Sequence, residues 1–185
     1  MLKLASWNVN SLRVRLPQVL DWLAVHQPDL VGLQETKLQN EQFPVEELAA
    51  AGYNVITNGQ KTYNGVALLA RQPLTPEAMA LDIPDFEDPQ RRVVAATCDD
   101  IRFINLYVPN GSEVGSDKYR YKLDWLDALL AWLLVSLIAH GIGVCGLVGR
   151  DAHTCGVRQQ RDSGVGGRPV GTCTVGPIRA ENRRQ

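Results

Sequence analysis

Short apolar runs of strand length recur along the first two-thirds of this chain, and each is closed by a polar or turn-forming residue. Residues 2–7 alternate and stop at Asn8, and Leu30-Val31-Gly32-Leu33 leads straight into Gln34 and Glu35. Further runs cover 53–57, 66–70, 93–97 and 101–108, the last stopped by Pro109-Asn110-Gly111. Runs this short, bounded by turn residues, predict buried strands rather than helices. Helical spacing appears between them. Leu16, Val19, Leu20 and Leu23 recur on one face, with Pro17 suited to a first turn and Pro28 closing the segment. A short helix over 45–51 ends at Gly52, and a long one runs from 118 to about 139. Asn64-Gly65, just before the run at 66–70, is a tight-turn pair. Strands and helices interleaved in this way predict an α/β layer fold.

Bulk properties narrow the class. The 185 residues are 45% hydrophobic and 21% charged, which suits one soluble domain. A net charge of −1 lends nucleic-acid binding no support, so any such contact must come from a local patch. The opening residues lack a basic segment followed by an apolar run, so no secretory leader is expected. Cys98, Cys145, Cys155 and Cys173 form no C-x-x-C pair and read as reduced cytosolic thiols. With His153 they match no zinc spacing. Residues 128–149 carry no Asp, Glu, Lys or Arg, yet four glycines crowd the second half, so a helix–turn–strand is expected rather than a membrane span.

Composition changes after about Leu134. Ten of the 16 glycines, three of the four cysteines and seven arginines lie in 135–185, where Lys, Phe, Trp and Tyr are absent. From Thr154 on no helical or strand period is sustained. We therefore expect 1–134 to form the ordered part of the domain and 135–185 to be a degenerate, poorly ordered tail. Its composition resembles a GC-rich gene read out of frame.

Functional groups in open α/β sheets gather where strands end. Asn8, Glu35 and Tyr107 each stand at such an end. An amide, a carboxylate and a phenol brought together there would suit a hard cation and a phosphate, since Mg²⁺ takes oxygen ligands and keeps several waters. Taken one at a time, the Glu also reads as a solvated loop carboxylate and the Asn as a turn or cap residue.

Five words in order carry more. They are Ser6-Trp7-Asn8-Val9-Asn10-Ser11-Leu12-Arg13; Leu33-Gln34-Glu35-Thr36-Lys37; Gly59-Gln60-Lys61-Thr62-Tyr63-Asn64-Gly65; Gln90-Arg91-Arg92; and Ile104-Asn105-Leu106-Tyr107-Val108-Pro109-Asn110-Gly111. Together they resemble the exonuclease III / abasic-site endonuclease family of the endonuclease–exonuclease–phosphatase superfamily, from Met1 to about Trp132. The resemblance implies a four-layer α/β sandwich, two packed mixed sheets flanked by helices, incomplete at the C-terminus. It implies Mg²⁺ (or Mn²⁺) held by Glu35 with the support of Asn8, and Tyr107 facing the scissile phosphate or the leaving oxygen. Lys61, Asn64 and Asn110 would touch the DNA backbone. Arg91 would be a further phosphate contact, with a surface ion pair as its alternative. A later Gly-Asp-x-Asn word is also implied. The comparable place reads Gly149-Arg150-Asp151-Ala152-His153, so Asp151 is the candidate second catalytic carboxylate. The Trp-rich segment and the Asp-His pair that the family places last have no counterpart after Trp132 and His153. The implied function is hydrolysis of phosphodiesters in double-stranded DNA at abasic sites or 3′ ends, by a cytoplasmic, monomeric enzyme away from membranes. This chain is expected to be inactive as it stands. The rival readings are a non-functional fragment, a phosphatase of the same superfamily, and a DNA-binding module without chemistry.

Overall fold

The computed structural model describes residues 2–140 and, as backbone, two later strands at His153–Val157 and Cys173–Pro177; side chains are described through residue 136. The elements in order are β1 (Leu2–Asn8), α1 (Leu12–His26), β2 (Leu30–Gln34), a 3₁₀ turn (Asn40–Gln42), α2 (Val45–Ala50), β3 (Tyr53–Asn58), β4 (Val66–Arg71), β5 (Glu77–Ala80), β6 (Val93–Cys98), β7 (Ile101–Leu106), α3 (Asp117–His140), β8 (His153–Val157) and β9 (Cys173–Pro177).

They form two mixed or antiparallel sheets, ordered β3-β4-β2-β1-β8-β9 and β5-β6-β7. β1 and β2 are parallel, with α1 as their crossover, while β2–β4 and β3–β4 pair antiparallel. Residue alternation along the strands builds the layers. In β4, Ala67 and Leu69 join Val19, Leu23, Val31 and Leu48 beneath α1 and α2. Val66, Leu68 and Ala70 point the other way and meet Val94, Ala96 and Phe103 of the second sheet. Val93, Ala95, Ile104 and Leu106 then face Trp125 and Leu129 of α3. Helices, sheet, sheet and helix give the four-layer α/β sandwich that the resemblance implies. Each fully buried Leu, Val or Phe stabilises it by about 1.5–3 kcal/mol.

Some local expectations change. Pro17 lies inside α1 rather than in its first turn, because the helix begins at Leu12. Tertiary bonds set that start: the Ser11 N–H donates to Glu35 O at 2.7 Å and the Leu12 N–H to Thr36 O at 3.0 Å. β7 stops at Leu106, short of 108, although the Tyr107 N–H still donates to Arg92 O at 2.8 Å. β5 has no counterpart in the apolar pattern. It is an edge strand without a buried residue, and its register on β6 slips.

The tail departs from expectation at two places. β8 pairs antiparallel with β1, Leu2 opposite Val157 and Ser6 opposite His153, and β9 pairs with β8. β1 would otherwise offer an unpaired row of N–H and C=O groups, and the β-branched Thr154, Val157, Thr174 and Val175 suit strands. The turn and strand expected at the end of 128–149, Asp151 and the rest of the expected tail lie outside the described residues. No described helix is long and apolar enough to cross a membrane.

Candidate metal and phosphate site

The parallel register of β1 and β2 sets Asn8 opposite Gln34, so Glu35 leaves its strand beside Asn8. The loops that follow are zipped together: the Val9 N–H donates to Gln34 O at 2.9 Å, the Thr36 N–H to Gly65 O at 3.1 Å and the Lys37 N–H to Asn64 O at 3.0 Å. Asn64 and Gly65 both have positive φ, 47° and 81°, as their tight turn requires. Asn10 (43°), Ser11 (90°), Glu35 (52°) and Lys37 (54°) are also left-handed. Non-glycine residues rarely adopt that conformation, and strain of this kind concentrates at functional sites.

Glu35 is the hub. Its Oε1 accepts from Asn8 Nδ2 at 2.8 Å and from Tyr107 Oη at 3.0 Å. Its Oε2 faces Lys37 Nζ at 3.2 Å, and the same ammonium donates to Asn10 Oδ1 at 2.6 Å. The three strand-end residues thus converge, although Tyr107 follows the second sheet and the other two belong to the first. Asn8 turns its nitrogen to the carboxylate and its Oδ1 to the Asn10 N–H at 3.1 Å. It therefore orients Glu35 rather than presenting an oxygen beside it.

Burial pushes the Glu35 carboxyl upward, but hydrogen bonds from Asn8, Tyr107 and Lys37, with the charge of Lys37, outweigh it and hold it below its ordinary 4.5. Burial first, and then the Glu35 carboxylate, push the Tyr107 phenol up, so it stays protonated at neutral pH. A carboxyl lowered in the folded state stabilises the fold above its unfolded value and loses that contribution as pH falls through the folded value. The melting temperatures of wild type and Glu35→Gln should therefore differ most above pH 4.5, and the gap should narrow on acidification below it. A gap independent of pH would show that the charge of Glu35 contributes nothing.

Oxygen donors of Glu35 and Asn10 already meet on a cation, the Lys37 ammonium. A hydrated Mg²⁺ fits such a set, because it commonly binds one or two carboxylates and keeps water in its remaining positions. The described residues contain no cluster of three or more His, Cys, Asp or Glu, so a site demanding several anionic ligands is not present among them.

Beside Tyr107 opens a cavity of about 410 Å³, lined among others by Asn64, Gln90, Arg92, Asn110 and Lys118. Arg92 is only 9% exposed. Its guanidinium lies 4.8 Å from the Tyr107 ring centroid, donates to Tyr107 O at 3.1 Å, and grips Gln90 Oε1 through Nε (3.2 Å) and Nη2 (2.7 Å). Arg91, the arginine expected at a phosphate, stands half-exposed in an ion pair with Asp82 at 3.3 Å. Its φ of 48° marks the backbone turn that separates it from its neighbour. Asn64 and Asn110 reach the cavity, and Lys61 is an exposed loop residue outside its lining. Asn10, Lys37, Gln90, Arg92 and Lys118 were not singled out from sequence. The Asn-Val-Asn spacing that carries Asn10 onto the same side as Asn8 was the signal available for one of them.

A family model described as Endonuclease/Exonuclease/phosphatase family matches residues 5–143. The chain is 39% identical over 115 residues to exodeoxyribonuclease III of Haemophilus influenzae, covering 60% of this chain and 42% of that protein. It is 31% identical over 137 residues to an exodeoxyribonuclease of Bacillus subtilis, covering 72% and 52%. Among solved structures it resembles the 3′ phosphatase NExo from Neisseria bound to a product DNA hairpin, with a TM-score of 0.75 at 42% identity over 79% of this chain and 57% of that one. It also resembles an AP endonuclease from Archaeoglobus fulgidus, with a TM-score of 0.72 at 37% identity, covering 79% and 56%. The chain spans about half the length of these relatives.

Proposed function

This chain belongs to the endonuclease/exonuclease/phosphatase family, with exodeoxyribonuclease III and the AP endonucleases as relatives, and from that premise we propose that it carries the metal-holding half of a Mg²⁺- or Mn²⁺-dependent DNA-repair nuclease. The proposed substrate is double-stranded DNA with abasic sites or 3′ ends. One observation carries the reading: Glu35 is held ionised by Asn8 and Tyr107 on one oxygen, while its other oxygen, with Asn10, faces a cation.

Glu35 and Asn10 would hold the metal, with Asn8 fixing the carboxylate; when bound, the ion would neutralise phosphate charge and orient a water. Tyr107 keeps its proton and stands at the cavity wall, where its hydroxyl can turn from Glu35 to a phosphate or leaving oxygen. Arg92 holds the ring of Tyr107 and offers charge-assisted donors to a phosphate. Lys118, Asn64 and Asn110 around the cavity, with Lys61 and Arg91 outside it, are proposed backbone contacts, which position a duplex without reading sequence. Asp151 is the proposed partner at the leaving oxygen. The proposed setting is the cytoplasm, and the proposed state is monomeric. Since the chain spans about half the length of its relatives, we propose that it turns over slowly or not at all by itself.

The second reading is removal of 3′ phosphates by the same site, which the likeness to a 3′ phosphatase favours. Labelled duplexes carrying an abasic site, a 3′ phosphate or a recessed 3′ hydroxyl, each with Mg²⁺, separate the two. The chain alone should leave all three nearly intact. A fusion of residues 1–134 to the second half of the Haemophilus relative should nick the abasic duplex. Faster action on the 3′ phosphate would favour the phosphatase reading, and a folded fusion inert on all three substrates would sink the nuclease reading.

A further inference from the structure

Glu35 and Tyr107 meet at 3.0 Å, yet they follow strands of different sheets. Among the described residues no backbone ladder joins those sheets. Apolar packing between them has no preferred direction, and packed layers can slide past one another by small steps. Something directional must hold the phenol on the carboxylate.

Directly beneath the pair, a cluster of buried amides crosses the interface. Gln34, one residue before Glu35, donates from Nε2 to Asn105 Oδ1 at 2.5 Å, and Asn105 lies two residues before Tyr107. Both side chains are 4% exposed. Asn105 spends its own Nδ2 protons on the first sheet, on Leu33 O at 2.8 Å and Ala67 O at 2.9 Å, residues paired across β2 and β4. Gln34 Nε2 also reaches Ser6 Oγ at 2.9 Å on β1 and Gly32 O at 3.2 Å. One asparagine from the second sheet is thereby bonded into three strands of the first, two of them directly and one through Gln34. Gly32 makes room for it: a Cβ there would lie 2.6 Å from Asn105 Oδ1.

We infer that Gln34 and Asn105 are positioning residues, an amide clasp between the sheets that sets the register of Glu35 against Tyr107. The clasp deepens the nuclease reading, because its consequence for chemistry rests on those two residues acting together. Replacing both amides with apolar groups of similar shape removes the Gln34–Asn105 bond from both sides at once, which can be nearly neutral for folding. Ser6 Oγ and the Gly32, Leu33 and Ala67 carbonyls nevertheless each lose a donor. The position of Tyr107 is therefore read from its own signal and not from stability.

The test uses the full chain with tyrosines labelled at ¹³Cζ, whose chemical shift reports hydrogen bonding of the hydroxyl. Tyr107→Phe assigns the signal, and Glu35→Gln gives the displacement when the carboxylate is lost. The double variant Gln34→Met/Asn105→Leu should still melt cooperatively, at a lowered temperature, and move the Tyr107 signal by most of that displacement. Gly32→Ala, which keeps both amides but takes their room, should move it in the same direction. Asn54→Leu, which deletes a bond to Leu74 O within the first sheet's own margin, should leave it in place. In parallel, Mn²⁺ affinity measured by electron paramagnetic resonance should change little in the clasp variants, because Asn8 and Lys37 still hold the Glu35 carboxylate. A Tyr107 signal unmoved in both clasp variants overturns the proposal, and so does an equal movement in Asn54→Leu. If the double variant does not fold, Gly32→Ala decides alone. A wild-type chain that binds no Mn²⁺ counts against the nuclease reading and leaves the clasp to be judged by the tyrosine signal.

Discussion

Trp125→Ala should cost about 3–5 kcal/mol of folding stability, the range for deleting a fully buried tryptophan. Trp125 is 0% exposed and sits in the core between α3 and the second sheet, among Ile83, Val93, Ala95, Ile104, Leu106 and Leu129. It is the largest wholly buried side chain described. Deleting it leaves a void bounded by a sheet on one side and a single helix on the other. A native domain has only about 5–15 kcal/mol to lose, so the urea midpoint should fall sharply. Trp125→Phe should cost far less. The indole N–H has no hydrogen-bond partner among the described residues, so a phenyl ring gives up packing volume but no bond there. Leu130→Ala on the same helix, 57% exposed, should stay within about 0.5 kcal/mol of wild type. Urea melts of the three variants check the ranking. A Trp125→Ala loss below about 1 kcal/mol would show that α3 is not the fourth layer of the sandwich.

That layer was legible from the chain because its cause is periodic. β2 and β4 are short apolar runs bounded by polar or turn-forming residues, and the structure keeps their limits within a residue. α3 follows from apolar residues at helical spacing. Where local pattern competes with tertiary bonds, the reading drifts. Pro17 looks like a helix start, but bonds from Ser11 and Leu12 to the loop after β2 begin α1 earlier. β5 buries none of its residues, so no hydrophobic alternation marks it, and it exists through its pairing to β6. The strands β8 and β9 rest on a partner edge far away in sequence, which no window of local residues contains.

The site divides in the same way. Asn8, Glu35 and Tyr107 were legible because each ends a strand, and strand ends share a rim. The choice between Arg91 and Arg92 was not, because a single left-handed residue decides which one turns into the cavity. Lys37 and Asn10 carry no strand-end signal of their own, and it is the zipped loops that bring them to one carboxylate. Gln34 ends one apolar strand and Asn105 stands inside another. Only the stacking of one sheet on the other gives each the partner that makes burial of an amide tolerable.

Glu35→Ala and Tyr107→Phe should part company, and the difference tests the division of labour at the rim. Glu35 is the one carboxylate that the described site offers a cation, so its removal should abolish detectable Mn²⁺ binding to the chain. In a fusion that cleaves abasic DNA, Glu35→Ala should lower the rate by about 10²–10³-fold or more, the scale for losing one preorganised electrostatic group. The fold should survive, because the carboxylate is partly open to solvent, with a side-chain exposure of 21%; water can take up the donors of Asn8, Lys37 and Tyr107. Tyr107→Phe removes a single hydrogen bond to Oε1 and leaves Asn8 on that oxygen and Lys37 on the other. Mn²⁺ affinity should therefore change little, while cleavage falls by about 10²-fold, since the phenol's proposed work is on the phosphate. Titration of Mn²⁺ by electron paramagnetic resonance and single-turnover cleavage of an abasic duplex measure the two effects separately. Loss of Mn²⁺ binding in Tyr107→Phe would make the phenol part of the metal's own support, and unchanged Mn²⁺ binding in Glu35→Ala would place the metal elsewhere.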